Sequence, residues 1–441
     1  MTRTTAIAAS ILAVALLSLG VTGQLAPWPS PDTPTYLAAA RSATPLAELR
    51  LPVYGWLAAP LLASAAPGWL LPGLQVGAFM AASLWLVVVL RRHFLSGPAA
   101  VAMAVALAGS NELLVWGHAL LPEVPGHAAL LAALALVLEI AAGRRAVWRV
   151  LWAALAATLA WALRPSLLPF ILLLPLLVLL LPRPATLRVH GRAAWLLVAL
   201  LLPFLTLSGL RAIRYHDFNV VSFNGFQMSG VAALMLTPDI ADRLPPAHQD
   251  LARQIIARRD TLIAAGQALP IPLNSSGQRS FVSAAALYFD VLARSFDVVV
   301  WEGVSPLRQA DESWPAFTLR LQALSLATFR AAPAYYSAWV AGATGRAVGH
   351  MLVLNPIFVL ACTVLFGMVL WRGLRGASAP EPDSAGRRDI PPLLALTGVY
   401  LLGTAVPIVL VTMPAARYTD SACLFLAAWP VYGTLRLLRR S

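Results

Sequence analysis

Residues 71–92 read LPGLQVGAFMAASLWLVVVLRR. The run before the arginine pair holds no charged side chain, and about twenty residues of helix rise about 30 Å, the thickness of a bilayer's hydrocarbon core. It reads as a membrane span that stops at Arg91 and Arg92. Working outward, comparable apolar runs cover about 5–22, 98–117, 124–142, 147–163, 167–182, 193–210, 348–370, 391–412 and 420–436. The run over 167–182 is short for a span, and Arg164 or Arg183 would make up the difference by snorkelling. The expectation is an all-α polytopic membrane protein with about ten transmembrane helices.

Composition agrees with that expectation. Of 441 residues 59% are apolar and 12% charged, against about 25% charged in a soluble chain. The net charge of +13 comes entirely from arginine, and about half of those residues flank apolar runs. That placement argues against a nucleic-acid partner. Cys362 and Cys423 both lie inside apolar runs, so neither a disulfide framework nor a thiolate metal site is expected. No Gly-rich nucleotide loop is present, and no nucleotide cofactor is expected. The opening apolar stretch is long and lacks a small-x-small site before a polar segment, so it reads as a retained first span.

Arginine placement sets the expected orientation. With the N-terminus inside, the inner loops receive sixteen arginines, among them Arg144, Arg145, Arg149, Arg387 and Arg388. The short outer loops receive four: Arg41, Arg50, Arg164 and Arg417. That bias places both termini in the cytoplasm. The chain then divides into an N-terminal transmembrane module (1–210) with a first outer loop at 22–70, a long outer region (211–349), and a C-terminal transmembrane module (350–441). Within the outer region, helices are expected over 250–265, 280–301 and 315–330, with a polar linker at 271–279. A loop of that length beside a bundle usually carries binding work.

Charged residues at the outer ends of the spans need compensation. Asp32 stands between Pro31 and Pro34, and Arg50-Leu51-Pro52-Val53-Tyr54 opens an apolar interfacial helix. Glu112 falls in the outer part of the third span and Glu123 begins the fourth. Arg164 and Arg417 stand alone in short outer loops, where a phosphate or a carboxylate would pair with them. Plainer readings stay open beside these. Asp32 is a turn residue, Glu112 half of a structural ion pair, and the outer histidines His118, His127, His216 and His350 scattered polar side chains. A divalent-cation site built from Asp32, Glu123 and one of these histidines is a further alternative.

Taken together, Asp32-x-x-x-Tyr36, Arg50-x-Pro52-x-Tyr54, Glu123, Arg164-Pro165 and Arg417-Tyr418, in that order on this topology, resemble the GT-C membrane glycosyltransferases. The resemblance is to the bacterial branch that includes the polyprenyl-phosphate-mannose protein mannosyltransferases and the lipid A aminoarabinose transferase. It covers the first 210 residues and the last 90 or so, with a single acid, Asp32 followed by Thr33, where that family commonly has a pair.

The resemblance implies transfer of a sugar from a polyprenyl-phosphate donor to an acceptor hydroxyl of a lipid, glycan or protein. Transfer would occur with inversion on the periplasmic side of a bacterial inner membrane. It implies Asp32 as the general base, and Glu123 and Glu112 as residues that orient the acceptor or share a divalent cation. Arg417 and Arg164 would bind the lipid phosphate, and Tyr36, Arg50, Tyr54 and Tyr418 would line the substrate pocket. Two other classes use the same arginines without needing Asp32 as a base: a flippase or carrier of an anionic lipid-linked glycan, and an envelope-assembly protein whose outer region binds partners.

Overall fold

The computed structural model describes residues 2–65, 67–144, 147–181, 189–269, 295–374, 384–412 and 419–439, with residues 373, 384–387 and 420 described in backbone only. Among the described residues eighteen α-helices follow in chain order. The first nine are α1 (Arg3–Val21), α2 (Thr33–Arg41), α3 (Val53–Ala63), α4 (Leu70–His93), α5 (Gly97–Ala108), α6 (Asn111–Leu114), α7 (Glu123–Ala141), α8 (Val147–Leu163) and α9 (Phe170–Leu180). After α10 (Val189–Tyr215) come α11 (Asn224–Met235), α12 (Pro238–Asp242), α13 (Pro246–Ala264) and α14 (Trp314–Ala331). The chain closes with α15 (Pro333–Val353), α16 (Pro356–Leu374), α17 (Ser384–Val411) and α18 (Ala428–Leu438). Among the described residues there is no sheet, only an isolated parallel bridge between Trp28 and Ala119.

Every apolar run in the sequence becomes largely helical, but not all ten are long enough to be counted as spans by length and composition. Among the described residues seven helices are long and apolar enough to cross a membrane, or eight if the bent pair α15–α16 counts as one. The other two runs form α8, with 17 residues, and the short segment Pro165–Leu180. Pro165 separates them, because a proline disfavours helical backbone in the residue before it; Arg164 is accordingly extended, at φ −132° and ψ 95°.

The run expected over 348–370 is a correction of a different kind. The chain breaks at Leu354–Asn355 and turns by 70° before α16. Pro356 starts the new helix, and Asn355 Oδ1 accepts from the Phe358 N–H at 2.9 Å as its cap. The Leu354 carbonyl, left without a helical partner, accepts from Asn111 Nδ2 at 2.8 Å. An apolar count runs through such a break because Asn355 is a single polar residue among hydrophobic ones.

Among the described residues there is a smaller hydrophobic core around Tyr36, Tyr54 and Leu163, and there are two large ones. One fills the bundle, with Phe79, Leu134, Phe170, Leu196, Tyr400 and Phe425 among its buried side chains. The other fills the region after α10, where Phe226, Ile255, Val300, Phe317 and Leu321 pack together. That second core rests on a close crossing of α11 and α14, since a Cβ at Gly225 would collide with the Thr318 carbonyl. Residues 270–294 lie outside the described residues, as do the linker and most of the helix expected there; the stretch after them enters a π-helical turn, Val299–Val304.

The two ends of the bundle differ in charge. At one end Glu139 lies within 3.5–4.0 Å of Arg92, His93, Arg144 and Arg149. The opposite end carries α2, α3 and the region after α10, with Asp32, Tyr36, Arg50, Tyr54, Glu123 and Arg164.

Candidate functional site

The loop after α1 is fastened to the loop before α7. The Trp28 N–H donates to the His118 carbonyl and the Leu120 N–H to the Trp28 carbonyl, each at 3.0 Å. Thr33 Oγ1 donates to the Leu120 carbonyl at 2.9 Å. Pro34, in the first turn of α2, gives up no bond there because that N–H would have no helical acceptor. Asp32 occupies the N-cap position, yet its carboxylate makes no capping bond. It meets Arg50 instead, with Oδ1 3.2 Å from Nη2.

Arg50 also lies over two aromatic rings, 5.1 Å from the centroid of Tyr36 and 4.2 Å from that of Phe223. Such contacts contribute about 0.5–2 kcal/mol each, more as water is excluded. Phe223 is held by a buried ion pair from the end of α10. Arg211 Nη2 lies 2.5 Å from Asp217 Oδ2, and Ser222 Oγ donates to the same oxygen at 2.9 Å. Arg211 also donates to the Leu46 carbonyl. One guanidinium thus joins the first loop to the region after α10, and residue 223 follows directly.

Tyr36 meets Tyr54 edge to face at 5.7 Å. Gly55 permits this approach, because a Cβ there would lie 2.6 Å from that of Ala40. The Tyr54 hydroxyl donates to Gln75 Oε1 at 2.9 Å, and Gln75 Nε2 donates to the Ala119 carbonyl at 3.0 Å. Burial, then the nearby Glu123 carboxylate and Tyr36, push the Tyr54 phenol far above its ordinary range. It therefore stays protonated and remains a hydrogen-bond donor.

Glu123 opens α7 and is 2% exposed, with the partial positive charge of the helix N-terminus beside it. Arg164, released from α8 by Pro165, donates through Nε to Ser166 Oγ at 3.0 Å. Its Nη1 lies 3.7 Å from Glu112 Oε1, and Oε2 of the same carboxylate lies 3.1 Å from His127 Nδ1. Glu112 and His127 are both fully buried. Gly126 lets α7 approach the end of α8, since a Cβ there would come 3.1 Å from that of Arg164.

A cavity of about 450 Å³ joins these groups. Of the residues expected from the sequence, Tyr36, Arg50, Glu123 and Arg164 line it. Asp32 does not line it but pairs with Arg50, which does; Tyr54 stands behind Tyr36, and Glu112 behind Arg164. Arg417 and Tyr418 lie outside the described residues. One wall is apolar, formed by Leu168, Pro169, Pro407, Ile408 and Val411. The wall from α11 and α14 brings in Asn224, Gln227 and Gln322, which sequence reasoning missed along with Phe223. Their signal was slight: two amides in a short apolar stretch too brief to span.

The outer histidines do not converge. His118 packs on Trp28 at 5.6 Å, where burial lowers its imidazole below the ordinary value. His350 Nδ1 is 3.0 Å from Thr419 Oγ1, and His216 ends α10 in a left-handed conformation at φ 55°. Among the described residues no group of three or more His, Cys, Asp or Glu is placed to hold a metal ion. The cavity thus combines arginine charge, carboxylates and neutral amides with an apolar side. Such a lining suits an amphiphile whose head carries an anion and hydroxyl groups. No protein-family model, no curated protein and no solved structure matches this chain.

Proposed function

We propose that the chain transfers a sugar from a polyprenyl-phosphate donor to an acceptor hydroxyl in this cavity. The GT-C resemblance in the sequence motivates the reaction class. The observation that carries it is that Arg50, Glu123 and Arg164, far apart in the chain, line one cavity beside an apolar wall. In this reading the isoprenoid lies along Leu168, Pro169, Pro407 and Ile408. The phosphate lies between Arg50 and Arg164, and the sugar faces the amides of Asn224, Gln227 and Gln322.

Asp32 takes the proton of the acceptor hydroxyl as its oxygen attacks the anomeric carbon. The bond from that carbon to the phosphate oxygen breaks, the configuration inverts, and polyprenyl phosphate leaves with one more negative charge than the donor phosphodiester carried. The Asp32–Arg50 pair couples these events. Once Asp32 is protonated it no longer neutralises Arg50, so the guanidinium gains attraction for the phosphate as that group gains charge. Glu123 would orient the acceptor. No step is routed through a metal ion; chelation followed by cation add-back reads directly whether transfer needs one.

The site belongs, in this proposal, to the outer side of a bacterial inner membrane, with the Glu139 end inside. Incubating the purified protein with a polyprenyl-phosphate sugar and following release of polyprenyl phosphate tests the reaction. Turnover supports transfer. Binding without turnover, across lipid, glycan and peptide acceptors, favours a carrier or flippase.

A further inference from the structure

Glu112 is fully buried in the bundle, whereas the Asp32 side chain keeps 20% exposure, so the Glu112 carboxylate has no open route to an acceptor hydroxyl. A buried carboxylate is costly unless paired, and its neighbours supply the compensation. Arg164 Nη1 approaches one oxygen at 3.7 Å and His127 Nδ1 the other at 3.1 Å. His127 Nδ1 also lies 3.0 Å from the Glu123 carbonyl. Two acceptors converge on that nitrogen, which places the imidazole proton on Nδ1. The Nδ1 proton bonds the Glu123 carbonyl, and the Glu112 carboxylate of α6 sits beside that nitrogen at ion-pair distance, with its other oxygen toward the guanidinium that follows α8.

The order of these contacts gives each residue a direction. Ser166 accepts from Nε of Arg164 at 3.0 Å, and the Glu112 carboxylate attracts the Nη1 side from 3.7 Å, beyond hydrogen-bond length. Arg164 is itself the extended residue between α8 and Pro165 and lies in no helix, so its orientation is set by side-chain contacts.

We propose that Glu112 and His127 are positioning residues: His127 orients the Glu112 carboxylate, and Glu112 aims Arg164 at an anionic head group in the cavity. The inference rests on the reading of Arg164 as a phosphate-binding residue. It assigns Glu112 to that arginine rather than to the acceptor.

The test is binding of farnesyl phosphate by the purified full-length protein in detergent, with thermal unfolding recorded for each variant. Arg164→Gln should weaken binding by about tenfold, the loss of one charged hydrogen bond. Glu112→Gln should give a comparable loss, and in the Arg164→Gln background it should give no further loss. His127→Leu should behave like Glu112→Gln. His127→Asn, which keeps an N–H donor near the Nδ1 position, should restore binding toward the wild-type level.

A merely structural role predicts otherwise: losses that add to that of Arg164→Gln and no rescue by asparagine. That pattern overturns the positioning role alone. Full binding by Arg164→Gln overturns it together with the phosphate reading. The Glu112→Gln, Arg164→Gln double variant replaces the buried ion pair by two neutral amides, so it reports on coupling even where a single variant, which leaves one charge buried, unfolds.

Discussion

Arg50 Nη2 lies 3.2 Å from Asp32 Oδ1, so the carboxylate proposed as base and a cation of the cavity are one ion pair. Both side chains are partly shielded, at 13% and 20% exposure, and the guanidinium also rests over Tyr36 and Phe223. Protonation of Asp32 and strengthening of the Arg50 field are then a single event.

That relationship makes Arg50→Lys a demanding substitution. Lysine keeps the charge but loses the planar fork and much of the stacking on the Phe223 ring. Transfer should slow by about tenfold, roughly one lost charged contact, while the fold persists. Kinetics at saturating donor check this; wild-type turnover would show that charge alone suffices.

The Arg211–Asp217 pair is the tie between the first loop and the region that delivers Phe223. Asp217→Ala leaves a buried guanidinium uncompensated and should destabilise the protein by about 3–5 kcal/mol. Replacing both residues by apolar ones of similar volume should recover much of that loss. Reversible unfolding in mixed detergent measures both. If the single variant is as stable as wild type, the pair does not hold this region.

The apolar helices and their order were legible in the sequence because hydropathy is a local property, and Asp32 and Arg50 lie in the same segment between the first two long apolar helices. What joined them to Glu123 and Arg164 was not legible, since it depends on Trp28 pairing with residues 118–120 and on Gly126 letting α7 approach α8. Phe223, Asn224 and Gln227 were hidden for the same reason. They belong to the cavity only because α11 packs back on the bundle, and nothing in their own segment records where it docks. The break at Asn355–Pro356 was present in the letters but outweighed by the apolar residues around it.

His118 gives a pH dependence with a definite sign. Burial lowers its imidazole below the ordinary 6.5, so the fold prefers the neutral ring. Stability from this group is complete above 6.5 and declines as pH falls from there toward the lowered folded value. His118→Phe should flatten this part of the profile between about pH 7.5 and about pH 5.5. Thermal midpoints across that range decide it, and an unchanged slope in the variant would assign the dependence to another group.

Asp32→Asn, measured for donor binding and for release of polyprenyl phosphate in the same preparation, separates catalysis from recognition most directly. The variant should bind the donor at least as well as wild type, because Arg50 is no longer neutralised. It should release polyprenyl phosphate about 10²–10⁴ times more slowly, the range for loss of a general base. Release at the wild-type rate would contradict the proposed chemistry and leave the cavity as a site for binding alone.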